Sequence, residues 1–493
     1  MSEISLKKVL FIESWNCSPH LETSLEIAKQ HADAGDIVYY YFCGHDTPYR
    51  EGISLSAEDA GWLTLLPEVR GVRLINSKNI EFKGRCRLPK VRYARPDDFS
   101  DIKQLMDFRY KDLDAGLAVA SSLISNTRNS DPDPRLFRAE VDAMLDSAIR
   151  VYEFSLDAIK THKPDIVYVF NGRFCNHRPV MQAAIDLGVK SLFHERGATM
   201  HQYDITEQMP HDPVPMIDKI SKHWAAADRE ASTKIAHQFF NQRRYAQASD
   251  LASLRVHQRN NHLPAIDSAK RVVTYFSSSD DEYAAVGEIF KWVGFKNQLD
   301  AVKHLIEICN ERGDIQLFVR LHPYLREKST EDQLRWLALK DERGVNLISF
   351  DSAVDSYALM DRSDVVITSG SWTSMEAVYW GRPAITLGPV YFADLGAGYK
   401  AESPRELREL LLNTKLKSDP DKALPFAYYF ATFGTQYLYY HPTSMTSGDF
   451  LGVNLQDKSM LWHRARHYRS KLSKILPQGL SGRKRSVSDS FET

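Results

Sequence analysis

The chain has 493 residues, a formal net charge of −1, 43% hydrophobic and 26% charged residues. That length exceeds what one compact core accommodates and predicts two domains of ordinary size. The near-neutral charge argues against nucleic acid as the main partner, because a nucleic-acid reader is usually visibly basic.

The N-terminus, MSEISLKKVLFIESW, lacks the apolar core of a signal peptide, and no run of eighteen apolar residues occurs. The expectation is a soluble, cytoplasmic protein, with attachment to the inner membrane surface left open. Cys17, Cys43, Cys86, Cys175 and Cys309 are dispersed and form no CxxC pair. They support neither a zinc ribbon nor a disulfide framework and suit a reducing compartment.

Lys7–Glu13 reads as a buried strand, followed by an amphipathic helix through His31 that Gly35 stops, and Ile37–Cys43 supplies a second strand. This βαβ opening makes a parallel sheet the default. Residues 100–162 read as helical with a polar break at Asn126–Pro134. Asp165–Phe170 is a further strand ending in Asn171-Gly172-Arg173, and Lys190–Phe193 runs into His194-Glu195-Arg196. Residues 205–265 are polar and helical, a candidate junction. A second α/β block starts at Arg271–Phe276 and continues through a helix at Leu299–Arg312 and strands at Gln316–Leu321 and Val345–Ser349. The predicted segments are 1–225, 226–268 (helical linker), 269–424, 425–478 (helical closing segment) and 479–493 (disordered tail). Within the closing segment, residues 460–476 have a basic face and an apolar face at helical spacing, a pattern that suits either packing or contact with an acidic membrane.

The densest motif is Asp361–Gly388, DRSDVVITSGSWTSMEAVYWGRPAITLG. An apolar strand there runs into a loop of Ser369, Gly370, Ser371, Thr373 and Ser374, and a helix then opens with Glu376 in its first turn. Free N–H groups and hydroxyls in such a loop are suited to an anion, although Ser and Thr also serve simply as helix caps. Upstream, Leu317-Phe318-Val319-Arg320-Leu321-His322-Pro323 is a buried strand whose carboxyl end carries Arg320 and His322, where ligands of open α/β sheets sit. Ser277-Ser278-Ser279 follows the first strand of the same half, at the same rim. The adjoining Asp280-Asp281-Glu282 reads more naturally as a helix start than as a Mg²⁺ site.

Three elements, VRLHP at 319–323, SGSWTSMEAVYWGRPAITLG at 369–388 and YYFATFG at 428–434, resemble the bacterial capsule-polysaccharide glycosyltransferases. The likeness is closest to the Kdo (3-deoxy-manno-octulosonic acid) transferases and spans roughly residues 270–440. The resemblance implies a GT-B-like fold, two Rossmann-like α/β domains facing a cleft, with a C-terminal helical extension. It implies a nucleotide-sugar donor, CMP-Kdo foremost, in the C-terminal half and a glycan or glycolipid acceptor in the N-terminal half. By the resemblance, donor contacts fall on His322, Ser371, Thr373 and Ser374, with Glu376 toward the ribose; Arg320, Ser369, Gly370, Ser277 and Ser278, at the same strand-end rim, are further donor-binding candidates. No cofactor is required, Mg²⁺ being an optional ion.

The acceptor's proton needs a base from the N-terminal half. Glu13 and Glu195, each at a strand end, are the preferred pair, with His20 and His194 as further candidates. Arg173 and Arg196 are candidates for holding a carboxylate of donor or acceptor, as guanidinium matches it bidentately. Trp372 either stacks on the nucleobase or seals the domain. GxSxG, GxxxxGK[ST] and HExxH are all absent. The alternatives are a nucleotide-sugar 2-epimerase, a CDP-glycerol-type phosphotransferase and a non-catalytic nucleotide-sugar-binding scaffold.

Overall fold

The structure, a computed structural model, describes residues 6–44, 46–49, 67–210, 212–245, 255–279, 281 and 284–456. The chain builds two α/β halves, each around its own sheet. In the first, β1 (Lys8–Glu13), β2 (Ile37–Phe42), β3 (Ile80–Arg85), β4 (Ile166–Phe170) and β5 (Lys190–Arg196) run parallel, and β6 (Gln202–Thr206) adds antiparallel to β5. In the second, β7 (Arg271–Phe276), β8 (Ile315–Arg320), β9 (Val345–Ile348), β10 (Val365–Thr368), β11 (Ala384–Thr386) and β12 (Tyr399–Lys400) are all parallel.

Apart from one short C-terminal strand that joins the edge beyond β6, the strand orders are β6-β5-β4-β1-β2-β3 and β12-β11-β10-β7-β8-β9 among the described residues. Both are the doubly wound order in which chain direction reverses beside the first strand. The sequence dictates this locally. β1, β4, β7 and β10 are near-continuous apolar runs, so they can only sit between two helical layers. β2 instead alternates buried and half-buried residues. The helices His20–Asp33 and Pro67–Ile75 cover one face of the first sheet, while Ala115–Thr127, Arg138–His162 and Arg178–Asp186 cover the other. The two-domain GT-B-like arrangement expected from the motifs is the one the chain adopts.

The closing segment departs from expectation. A helix does occupy Leu424–Thr432, against the helices Pro213–Ala226 and Arg229–Arg244. The chain then becomes β13 (Thr435–Gln436), which pairs antiparallel with β6 in the first half, and a hairpin of β14 (Tyr440–Ser444) and β15 (Ser447–Phe450). The buried carboxylate of Glu26 fixes this return by accepting the backbone N–H groups of Leu438, Tyr439 and Tyr440 at 2.9, 2.9 and 3.0 Å. Tyr440, Phe450 and Leu455 complete the apolar core under β1. The basic stretch 460–476 lies outside the described residues.

The cysteine reading is corrected. Cys43 follows β2, Cys86 follows β3, and their sulfurs form a disulfide because those strands are neighbours. No helix among the described residues is long and apolar enough to cross a membrane.

Candidate functional site

The switch point of the second sheet lies between β7 and β10, and the carboxyl ends of these strands deliver Ser277-Ser278 and Ser369-Gly370. A buried brace holds both loops. The Tyr275 hydroxyl contacts Gln298 Oε1 and Ser369 Oγ, each at 2.7 Å, and Gln298 Oε1 accepts the Ser278 N–H at 2.8 Å. Gln298 is fully buried in the first turn of the helix Gln298–Asn310. A Cβ at Gly388 would meet the Ser369 carbonyl oxygen at 2.0 Å, so only glycine lets the exit of β11 pass there. Ser371 Oγ and Thr373 Oγ1 lie 2.8 Å apart, and Ser374 turns inward, donating to the Ser371 carbonyl at 3.1 Å. Of the loop hydroxyl residues, Ser371 and Thr373 line the cavities around His322, Ser369 is engaged by Tyr275, and Ser374 caps the turn.

His322 stands at the exit of β8. Its backbone N–H donates to Ser277 Oγ at 2.8 Å, and its Nδ1 accepts the Tyr324 N–H at 3.2 Å. Ser277 is thereby a latch for the His-Pro turn. With Nδ1 an acceptor, the ring proton resides on Nε2. Burial, reinforced by nearby Lys328 and Arg320, lowers the His322 pKa to about 4, so the ring is a neutral N–H donor at physiological pH.

Arg320 is 2% exposed, donates to the Ser349 carbonyl, and keeps Nε and Nη2 buried without a hydrogen-bond partner among the described residues. Burial lowers its pKa to about 10, partly offset by Asp351, and the guanidinium remains charged. It lines an inner pocket of about 120 Å³ together with Arg243, Arg255, His322, Thr373 and Glu376. Arg243 and Arg255 are paired there with Glu376 and Asp355, so the charge that favours an anion in this small space is that of Arg320.

The outer cleft, about 380 Å³, joins the halves: His322, Ser278, Gly370, Ser371 and Trp372 face Glu195, Arg196 and Asp204. Asn171, in a left-handed conformation at the end of β4, donates to Glu195 Oε2 at 2.8 Å, and Glu195 Oε1 accepts the Arg196 N–H at 3.0 Å. Arg196 keeps a buried Nε without a hydrogen-bond partner among the described residues.

The structure separates the candidate bases. Glu195 lines the cleft, whereas Glu13 is 2% exposed and set 3.3 Å from His194 Nε2. His20 packs on Phe170 with ring centroids 4.1 Å apart, and burial lowers its pKa to about 4 despite the charge of Glu195 nearby. Arg173 lies over the Phe174 ring at 4.5 Å.

Arg243 escaped the sequence reading, whereas Trp372 and Asp281 were singled out there and here find definite partners. Arg243, from the helix Arg229–Arg244, pairs with Glu376 and lies over Trp372 at 5.2 Å, so the carboxylate expected at a ribose already holds a cation. Trp372 packs on Phe430 at 4.6 Å and Phe426 at 5.3 Å, sealing the helix Leu424–Thr432 to the loop while still lining the outer cleft. Asp281 pairs with Lys328; the helix start expected near Glu282 lies outside the described residues, as does Asp280. No group of His, Cys, Asp and Glu able to hold a metal occurs among the described residues.

No family model matches the chain, and no curated protein does. Among solved structures, it is similar to the beta Kdo 2,4 transferase of Thermosulfurimonas dismutans KpsC, at 13% identity and a TM-score of 0.34, over 54% of this chain and 79% of that one. The beta Kdo 2,7 transferase of the same protein matches at 13% and 0.34, over 65% and 89%. A UDP-GlcNAc 2-epimerase of Methanocaldococcus jannaschii, in complex with UDP-GlcNAc and UDP, matches at 10% and 0.28, over 85% and 98%. At identities and scores this low, the likenesses carry no argument about the reaction of this chain.

Proposed function

We propose that the chain is a glycosyltransferase of capsule or other surface-polysaccharide assembly. It moves a sugar, Kdo from CMP-Kdo foremost, from a nucleotide donor to a glycan or glycolipid acceptor. The observation that carries the reading is the convergence in one cleft of His322, Ser371 and Ser278 from the second half with Glu195 and Arg196 from the first. The half spanning 269–424 takes the donor, the half spanning 1–225 takes the acceptor, and 226–268 links them.

In this reading the leaving phosphate lies against His322 Nε2–H and the Ser371 and Thr373 hydroxyls, with Arg320 supplying positive charge behind them. Fixed donors aimed at a leaving phosphate stabilise charge as it develops. Glu195, held by Asn171 and the Arg196 N–H, takes the acceptor hydroxyl proton as that oxygen attacks the anomeric carbon. The bond to phosphate breaks and the nucleotide leaves. Arg196 is placed to read a carboxylate on the transferred sugar.

The test is a thermal-shift panel of CMP, CDP, UDP, GDP and ADP, each with and without Mg²⁺, since a ligand that binds only the folded state raises its apparent stability. Selective stabilisation by CMP supports the Kdo assignment. Selective stabilisation by UDP or GDP replaces the donor, and no shift with any nucleotide overturns the transferase reading.

A further inference from the structure

We infer that a second chamber, across the Ser278–Gly370 ridge from the outer cleft, binds an acidic saccharide segment of the acceptor; this rests on the transferase reading. The chamber encloses about 410 Å³ and shares Ser278 and Gly370 with the outer cleft, so a chain lying in it reaches the reacting centre directly. That volume accommodates a small oligosaccharide segment.

Its walls have the chemistry of a carbohydrate site. Trp336, 6% exposed, and the partly buried Trp292 supply indoles, and Phe290 adds a third ring. Flat aromatic surfaces match the C–H faces of pyranose rings, and the polar rim serves their hydroxyls. The remaining wall comes from the other half, through Lys103 and Ser130.

Hydrogen bonds between the halves fix that wall. Ser130 donates from N and Oγ to Asp332 at 3.2 and 3.1 Å, and Arg335 donates to Asn129 Oδ1 at 2.5 Å and to Asp332 at 2.8 Å. These contacts compensate Asp332 and Arg335 within the wall. Lys103 and Lys296, both exposed at the rim, make no ion pair among the described residues, and Asp131 is the acid set against them. Two lysines against one carboxylate leave the chamber positive, which selects saccharides bearing carboxylate or phosphate.

The experiment applies the full chain to an array of acidic and neutral bacterial surface glycans and measures nucleotide affinity in parallel. Wild type is expected to bind acidic glycans. Trp292→Ala and the double variant Lys103→Glu/Lys296→Glu should each weaken that binding about tenfold or more while keeping nucleotide affinity. The lysines are exposed, so the double variant tests the chamber even where Trp292→Ala disturbs the fold. His322→Ala should do the reverse, losing nucleotide and keeping glycan. Absence of glycan binding by folded wild type, or binding that both chamber variants leave unchanged, overturns the inference. Glycan binding that depends on the chamber in a protein that binds no nucleotide would sink the transferase reading and leave the chamber standing.

Discussion

His322 offers the sharpest perturbation. Its Nδ1 is occupied by the Tyr324 N–H at 3.2 Å, and burial keeps its pKa near 4, so Nε2–H meets phosphate as a neutral donor. A hydrogen bond to a charged acceptor contributes about 1.5–3 kcal/mol. His322→Ala should therefore raise the dissociation constant roughly 10- to 150-fold. The same change removes the acceptor that caps the turn Pro323–Glu327, worth about 1 kcal/mol of stability. His322→Asn retains a capping acceptor, so it should keep the fold and still lose most affinity. The assay is isothermal titration with the intact nucleotide sugar that stabilises the protein most, without acceptor, from about pH 8 to about pH 5.5. Because the imidazole protonates only near pH 4, affinity should stay flat across that range. A binding imidazolium of ordinary pKa would instead strengthen binding as pH falls through about 6.5. That rise, or an alanine variant within twofold of wild type, would refute the assignment.

Glu26→Ala strands three backbone N–H groups of the returning segment and should cost roughly 3 kcal/mol or more, read as a lowered melting temperature; an unchanged one contradicts the latch. His177 is buried against Ser14 Oγ at 3.0 Å, with its pKa lowered to about 3 by burial. As pH falls through about 6.5 the unfolded chain takes up a proton that the native ring refuses until near 3, so stability is lost across that window. His177→Asn should flatten the urea-measured decline between about pH 7.5 and about pH 4.5 by roughly 2–3 kcal/mol, and parallel curves would disprove it. The disulfide joins residues separated by 43 positions, so Cys43→Ser should cost up to about 4 kcal/mol. A melting temperature of wild type that ignores reductant would argue against the bridge.

Much of the architecture was legible because the central strands are apolar on both faces, as in KVLFIE, IVYVF, RVVTYF and VVIT. Their exits then placed Ser277, His322, Ser369 and Glu195 at sheet rims. β3 escaped because IEFKGR carries charge on an edge strand, and with it went the adjacency that joins Cys43 to Cys86. β13 escaped because a two-residue strand has no period. The partners Arg243 to Glu376, Asp281 to Lys328 and Tyr275 to Ser369 are 133, 47 and 94 residues apart. Each connection is made by the tertiary fold, and nothing local in the sequence announces it. Glu13 and Glu195 looked equivalent as strand-end acids; burial, which strand position alone does not reveal, separates them.

The most direct test of the central claim is release of free nucleotide from the nucleotide sugar, measured with and without a glycolipid acceptor, for wild type and Glu195→Gln. Release should need the acceptor, appear together with an extended glycan, and be lost in Glu195→Gln while donor affinity persists. An epimerised donor formed without acceptor, or equal release by Glu195→Gln, would contradict it.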